Sequence, residues 1–330
     1  MESSKLKAAV IGLGKAGSRF DEEGRPAVWS HVGAYLASRD LYDLVGGADV
    51  YAESRAKFLA RCPDLPCFDS AEDLISSLCP DVVSIATPIG IRSKVFHEVL
   101  EGNPPPRVII CEKPLASEPK VRLELVQMCA AKGVVLMVHY NRRYASIYQR
   151  MRRTIAGGDL GDLTSITVRM ANRLWSIGSH AFDLLFYLSG EEPCQWSALE
   201  IPALSEKGEP AIDFVSYFPS GVAGRVLMHG PSCILLFEVD VIGTKGRLTA
   251  SENGGRLDYS PFVSSSQYLG YVASGPPERL YSTAPDESTF VAIVREAGDV
   301  LVAGKDPTCS GQMALQSEAM LDQVVNWRSE

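Results

Sequence analysis

The segment Val10-Ile11-Gly12-Leu13-Gly14-Lys15-Ala16-Gly17 constrains this chain more than any other. It is a G-x-G-x-x-G that closes the first apolar run, Leu6 to Ile11. The first glycine of such a loop permits a tight strand-to-helix turn and the second lets backbone approach a pyrophosphate. The third lets the following helix pack closely on its sheet. Phosphates then sit at the positive N-terminus of a helix. Any tight turn between strand and helix can use glycine, so context carries the reading: a strand-like run precedes the loop, and the glycines fall where a helix should open. Gly12, Leu13, Gly14, Lys15, Ala16 and Gly17 are therefore predicted to hold a dinucleotide.

The first part of the chain alternates strand-like apolar runs with helical stretches, which implies a parallel sheet covered on both faces. Leu44–Ala48, Val82–Ala86, Val108–Cys111 and Val134–Tyr140 read as the later strands, and Ala52–Arg61 and Ala71–Leu78 as crossover helices. Ser117–Lys132 reads as a third helix, with Ser117 as cap, Pro119 in the first turn and Gly133 closing it. Phe20–Ser30 reads as an insertion ahead of a helix that contains His31, Ala34 and Tyr35. A helix from Tyr144 to Ile155 then carries Tyr144, Ile147, Tyr148, Met151 and Ile155 on one stripe. Beyond it two-residue alternation dominates. Leu163–Met170, Ala211–Phe218, Val222–His229, Ile234–Val241 and Arg247–Ser251 read as strands of an antiparallel sheet, followed by two helices. The expected fold class is α/β: a doubly wound, Rossmann-type parallel sheet over residues 1–142, then an α/β domain over 143–330 with a large, mostly antiparallel open sheet.

A chain of 330 residues is long enough for two cores. Its 46% hydrophobic and 22% charged residues are ordinary for a globular protein, and a net charge of −8 argues against a nucleic-acid partner. No stretch reaches the roughly 18 apolar residues that span a bilayer, and the opening Met-Glu-Ser-Ser-Lys lacks a signal peptide's apolar core. A cytoplasmic protein that does not engage membranes is expected. The eight cysteines form no C-x-x-C pair. They read as buried apolar residues or surface thiols in a reducing compartment, with no metal site.

Asp49 ends the second strand, where a dinucleotide fold places the carboxylate that accepts from the adenosine ribose hydroxyls, which favours NAD. Arg55 nearby could receive a 2′-phosphate, so NADP stays open; Asp49 could equally cap the next helix. Thr87-Pro88 ends the fourth strand and either lines the nicotinamide side of the crevice or makes an ordinary turn. Cys111-Glu112-Lys113-Pro114 ends the fifth strand at the same sheet edge. There the Lys113 ammonium could hydrogen-bond a substrate oxygen, and burial beside a cationic nicotinamide would bring it toward the range of a working acid/base. His180 and Asp183 lie at i and i+3, off the apolar helix stripe of Ala181, Leu184, Leu185 and Leu188. The carboxylate could orient the imidazole, or His180 could be a helix cap.

In this order the motifs resemble the glucose-fructose oxidoreductase / inositol dehydrogenase / MocA (Gfo/Idh/MocA) family. The resemblance runs from the glycine loop through Asp49, Thr87-Pro88 and Glu112-Lys113-Pro114. It continues through Tyr140-Asn141-Arg142-Arg143-Tyr144 and Gly178-Ser179-His180-Ala181-Phe182-Asp183 to Ile242-Gly243-Thr244-Lys245-Gly246. It implies an NAD(P)-dependent oxidoreductase with Lys113 as the catalytic lysine and His180 facing the substrate. Glu112 and Lys113 would adjoin the cofactor. Asn141, Arg142, Ser176, His180 and Asp183 would be substrate-side residues, and the open sheet face would make a homodimer or homotetramer. Two departures stand out. Ser176 occupies a place where the family often has aspartate, and Ile89-Gly90-Ile91-Arg92 replaces a segment that tends to carry asparagine and histidine. The expected reaction is hydride transfer between nicotinamide C4 and a hydroxyl-bearing carbon of a sugar, cyclitol or sugar-nucleotide. The alternatives are reduction of an imine or non-sugar carbonyl, and a non-catalytic dinucleotide-binding regulatory protein.

Overall fold

The computed structural model describes residues 5–23, 27–171, 174–206, 210–282 and 287–327. The chain divides into two compact units, Met1–Tyr144 with Pro285–Leu315, and Ala145–Ala284 with Gln316–Glu330. The first unit therefore takes back a segment from near the C-terminus, which a single boundary after residue 142 does not include.

In the first unit the elements run β1 (Leu6–Ile11), α1 (His31–Ala37), β2 (Tyr42–Ala48), α2 (Ala52–Arg61), β3 (Cys67–Phe68), α3 (Ala71–Leu78) and β4 (Val82–Ile85). They continue with α4 (Ile89–Leu100), β5 (Val108–Cys111), α5 (Pro119–Ala131), β6 (Val135–Val138) and the short α6 (Asn141–Tyr144). The six strands are all parallel in the order β3-β2-β1-β4-β5-β6. Strands β4 and β5 are buried along their whole length. This is why they read as continuous apolar runs rather than alternation: helices cover both faces. The order reverses between β1 and β4, and that switch point opens a crevice beyond the carboxyl ends of the strands.

Two helix readings shift by physical detail. Glu118, not Ser117, caps α5, and Pro119 is its first residue, where a missing N–H costs nothing. Helix α4 was not read from the sequence, because Pro88 and Gly90 look like turn residues. Pro88 in fact caps it, with Ile89 as the first helical residue.

The second unit begins with α7 (Ser146–Ala156), separated from α6 by an extended Ala145, so the stripe expected from Tyr144 to Ile155 is two helices. There follow β7 (Leu163–Met170), α8 (Ser179–Ser189), β8 (Gln195–Glu200), β9 (Ile212–Tyr217), β10 (Ala223–Met228) and β11 (Phe237–Gly243). The unit's strands end with β12 (Gly246–Ser251), β13 (Arg256–Ser264), β14 (Val272–Ser274) and β15 (Glu278–Ser282). They make one nine-stranded sheet, antiparallel except where β10 runs parallel to β7. Helix α8 presents Ala181, Leu184, Leu185 and Leu188 to this core, and Phe182 meets Phe214 of β9 edge to face at 5.0 Å.

Helix α9 (Thr289–Ala303) returns to the first unit, burying Phe290, Ile293, Val294 and Ala297. Tyr42 donates its hydroxyl to the Val294 carbonyl at 2.7 Å, and Arg295 grips Asp40 with two hydrogen bonds of 2.9 and 2.8 Å. Helix α10 (Gly311–Asn326) closes the chain. No helix among the described residues is long and apolar enough to cross a membrane, and none of the eight cysteines is in a disulfide.

Candidate dinucleotide site and its lysine

The glycine loop is built as its spacing requires. Gly12 has φ +88, and a Cβ there would lie 2.7 Å from the Ala86 carbonyl carbon, so only glycine lets β1 turn this close to the end of β4. Gly17 is pressed against the same turn: a Cβ would lie 1.8 Å from the Gly12 carbonyl oxygen. Gly14 meets nothing within 4 Å and faces the open crevice.

The helix after the loop departs from expectation. Residues Gly14 to Phe20 form one helical turn, with Ser18 N–H and Phe20 N–H bonded to the Gly14 and Lys15 carbonyls at 2.9 and 3.0 Å. The chain then leaves, and α1 starts at His31. Yet His31 N–H donates to the Ala16 carbonyl at 3.0 Å and Val32 N–H to Gly17 at 2.9 Å. With the eleven residues Phe20–Ser30 excised, His31 would follow Arg19 and these would be ordinary i to i−4 bonds. The insertion is thus a loop extruded from one continuing helix. Excising it also brings the spacing from the third glycine to Asp49 back to roughly 20 residues, the usual value. Asp21 ties the loop down, accepting from Trp29 N–H, Ser30 Oγ and Arg61, whose Nη2 is 2.8 Å away.

The crevice has a volume of about 630 Å³. Gly12, Gly14, Lys15, Ala16, Asp49, Thr87, Pro88 and Glu112 line it, together with Arg92. Leu13, Gly17 and Lys113 do not: Leu13 is fully buried in the core, Gly17 is the packing glycine, and the lining stops at Glu112, the residue before Lys113. Asp49 Oδ2 accepts from Leu13 N–H at 2.8 Å and Oδ1 from Tyr51 N–H at 2.8 Å. A carboxylate has about four acceptor positions, so both oxygens keep capacity for ribose hydroxyls. Arg55 spends Nη1 on the carbonyls of Asp49 and Val50 at 2.9 and 3.1 Å. The Thr87 hydroxyl is buried with no hydrogen-bond partner among the described residues, an unfilled polar position beside the crevice. These features fit a dinucleotide: a close-approach turn, open space at Gly14, a carboxylate at the end of β2 and a waiting hydroxyl at the end of β4.

Lys113 follows Glu112 at the carboxyl end of β5 and is half-buried. Three residues that sequence reasoning left without a role here hold its neighbours, Glu112 and Pro114. Arg92, 4% exposed, donates from Nη1 to the Glu112 carbonyl at 2.6 Å and to the Pro114 carbonyl, and from Nη2 to the Thr87 carbonyl at 2.6 Å. The Glu112 carboxylate meets His139 Nδ1 at 2.8 Å and His31 Nε2 at 3.2 Å through the same oxygen. Burial alone would raise the Glu112 carboxyl, but the two imidazoles, His139 foremost, hold it well below the usual carboxylate range. Burial likewise pushes His31 below its ordinary value, against the pull of Glu112. The signal that could have found His139 is positional: it follows β6 directly, at the sheet edge where Lys113 follows β5.

His31, Glu112 and His139 each offer a ligand-type atom within 4.8 Å of the others. Metal-bound imidazoles almost always tie down their second nitrogen. Here His31 Nδ1 and His139 Nε2 are buried without a hydrogen-bond partner among the described residues, and both rings pack edge-on to Phe290 at 5.1 and 4.5 Å. The arrangement is that of one carboxylate oxygen shared by two imidazole nitrogens.

The remaining predicted residues divide between the units. Asn141 and Arg142 are half-buried on α6 in the first unit, and Asn141 Oδ1 has no hydrogen-bond partner among the described residues. Arg143 bonds the Thr308 carbonyl at 3.1 Å. In the second unit, Ser176 is exposed in the turn of π-helix Leu174–Gly178, while His180 and Asp183 are buried on α8. Asp183 Oδ1 accepts from Ser317 Oγ at 2.9 Å, so one carboxylate oxygen faces α10.

Residues 6–140 match the family described as "Oxidoreductase family, NAD-binding Rossmann fold" (GFO_IDH_MocA). That match spans the glycine loop, Asp49, Thr87-Pro88 and Glu112-Lys113-Pro114, and it marks the first unit as similar to the NAD-binding domain of these oxidoreductases. The D-glucoside 3-dehydrogenase of Escherichia coli is 24% identical over 209 residues, which cover 58% of this chain and 56% of the enzyme, little more than half its length. Two solved structures share the fold of this chain over nearly its whole length. WlbA dehydrogenase from Bordetella pertussis, in complex with NADH and UDP-GlcNAcA, superimposes with a TM-score of 0.74 at 19% identity, covering 98% of this chain and 96% of its own. A super-repressor mutant of Gal80p from Saccharomyces cerevisiae superimposes with a TM-score of 0.79 at 14% identity, covering 98% and 96%. The first unit is thus an NAD-binding Rossmann domain.

Proposed function

We propose that this protein is an NAD-dependent dehydrogenase acting on a hydroxyl-bearing carbon of a sugar, cyclitol or sugar-nucleotide. One observation carries the reading: Lys113 directly follows crevice-lining Glu112 at the end of β5, on the edge that holds the glycine loop and Asp49. Bound nicotinamide would supply a hydride acceptor and donor at its C4. The chain's own groups do the rest. Asp49 accepts from the ribose hydroxyls, backbone N–H groups at the glycine loop receive the pyrophosphate, and the Thr87 hydroxyl offers an anchor at the far end of the crevice. In the oxidative direction Lys113 takes the substrate's hydroxyl proton and in the reductive direction it returns it. His180 is the second unit's group for holding the reacting oxygen, with Ser176, Asp183, Asn141 and Arg142 as substrate-side residues.

An anionic Asp49 and an Arg55 engaged by main-chain carbonyls support NAD over NADP. A homodimer or homotetramer in the cytoplasm is supported by exposed Leu199 and Tyr217 on the sheet of the second unit and by eight cysteines of which none is in a disulfide.

The test is turnover on a D-glucoside, myo-inositol and a UDP-sugar with NAD, followed at the nicotinamide absorbance, alongside NADH binding by fluorescence. A second reading, a dinucleotide-binding regulator, draws on Ser176 standing where the family often has aspartate and on Ile89-Gly90-Ile91-Arg92 replacing a segment that tends to carry asparagine and histidine. Tight NADH binding without turnover on sugars, cyclitols, imines or ketones would favour it.

A further inference from the structure

We propose that Arg92, His31 and His139 are positioning residues that clamp the Glu112-Lys113-Pro114 turn from both sides and so place the Lys113 amine; this rests on the reading of Lys113 as the acid/base. Arg92 acts on the main chain. Its planar fork bonds the carbonyls of Glu112 and Pro114, the residues on either side of Lys113, and with the other nitrogen holds Thr87 at the end of the neighbouring strand. The backbone of residue 113 is thereby bracketed and referenced to β4. A lysine could carry the same charge into this place but could not span three carbonyls with a rigid fork.

The histidines act on the side chain before it. Glu112 points toward the crevice, and without partners its carboxylate would swing and carry the turn with it. His31 arrives from α1, the continuation of the dinucleotide helix, and His139 from the end of β6. Four elements, α1, α4, β4 and β6, therefore converge on three consecutive residues. A group that exchanges a proton must be held within about 0.5 Å of its productive place, and a displacement of about 1 Å can cost a hundredfold in rate. The Arg92 guanidinium is buried, and Nη1 and Nη2 both donate to carbonyls at this one edge. The charges packed around the turn, Arg92 and Glu112 with the two imidazoles, are all members of the clamp.

The experiment reads where the Lys113 amine sits without needing a known substrate. Acetylation of Lys113 by acetic anhydride is timed by mass spectrometry in the full-length protein with and without NADH, and the NADH dissociation constant is measured by fluorescence. In the wild type NADH should slow Lys113 acetylation about tenfold or more, because the amine lies under the bound ring. In Arg92→Lys and in His139→Leu the protection should fall below about threefold while the dissociation constant stays within about threefold. His139→Asn, which keeps a donor near Nδ1, should restore protection. On any sugar of the panel that turns over, the same two variants should lose about 10- to 100-fold in kcat with KM for NAD little changed. Wild-type protection in both Arg92→Lys and His139→Leu would overturn the clamp and leave the assignment of Lys113 standing. Absence of protection in the wild type would remove the assignment of Lys113 and the clamp together. Should one variant fail to fold, the other decides.

Discussion

The second and third roles of the glycine loop can be separated by adding a single methyl group at Gly14 or at Gly17. At Gly17 the new Cβ would fall 1.8 Å from the Gly12 carbonyl oxygen and 2.9 Å from its carbon. Relief requires a shift of more than an ångström, and the opposing atom is backbone that cannot rotate away. Gly12 N–H is itself bonded to the Ala48 carbonyl at 2.8 Å, and the Gly17 carbonyl holds Val32 N–H at 2.9 Å, so both sides of the clash are pinned. Overpacking of a tight interior costs about 1–3 kcal/mol and occasionally more; this site belongs at the upper end. With roughly 2–4 °C per kcal/mol for a unit of this size, Gly17→Ala should lower Tm by about 6–12 °C without cofactor present.

Gly14→Ala is the matched control. No heavy atom lies within 4 Å of its Cβ, its φ is not positive, and alanine suits a helical turn better than glycine by up to about 1 kcal/mol. Its Tm should match or exceed that of the wild type. Its methyl group, however, stands where backbone must approach the pyrophosphate, so NADH affinity should fall about 10- to 100-fold, or about 1.4–2.7 kcal/mol. Differential scanning fluorimetry and NADH fluorescence titration read the two quantities independently. A Gly17→Ala protein as stable as wild type, or a Gly14→Ala protein that binds NADH normally, would refute the division of labour argued here.

Three more outcomes are expected. Lys113→Ala should bind NADH normally and lose about 10²–10⁴ in kcat, the worth of a positioned acid/base; steady-state kinetics on an active substrate checks this. Asp49→Ala should weaken NADH binding by about 10- to 100-fold, since hydrogen bonds to a charged group are worth about 1.5–3 kcal/mol, and should narrow the preference for NADH over NADPH in parallel titrations. The pH dependence of stability follows from the Glu112 cluster. His31 in the fold titrates below its ordinary 6.5, so as pH falls beneath that value the unfolded chain takes up the proton first and stability declines; Glu112, also lowered, repeats the pattern below 4.5. Denaturant midpoints should therefore drop from about pH 6.5 downward, and His31→Gln should flatten the upper part of that slope.

Much of the first unit was legible because parallel strands announce themselves. Runs such as Val108–Cys111 are apolar throughout, and the helices Ala52–Arg61 and Ala71–Leu78 have the predicted bounds. In the second unit legibility followed burial. Strand β7 alternates against the core and was read to the residue, whereas β8, β13, β14 and β15 escaped notice. Apart from Leu257 their residues are exposed or half-buried, β13 contains Pro261, and β14 has only three residues, so no sustained hydrophobic period marks them. The strand expected from Ile234 starts only at Phe237, because Ile234 and Leu235 are exposed residues of the preceding turn.

The candidate site was legible where chemistry and backbone geometry coincide in one motif, and illegible where function is built from convergence. The glycine loop, Asp49 and Glu112-Lys113-Pro114 each carry their spacing in the chain. His31, Arg92 and His139 belong to three different elements and meet only because β4, β5 and β6 end at one edge beside α1. The insertion makes this concrete. Linear spacing places His31 fourteen residues beyond the last glycine and hides its relation to the loop. The hydrogen bonds from His31 and Val32 back to Ala16 and Gly17 restore that relation, since they carry the register of the dinucleotide helix across the excursion. A helix that resumes in register after eleven foreign residues still delivers its next side chain to the same place, the carboxylate beside Lys113. Spacing rules for such a site are therefore rules about helical register, and an extruded loop changes the count without changing the geometry.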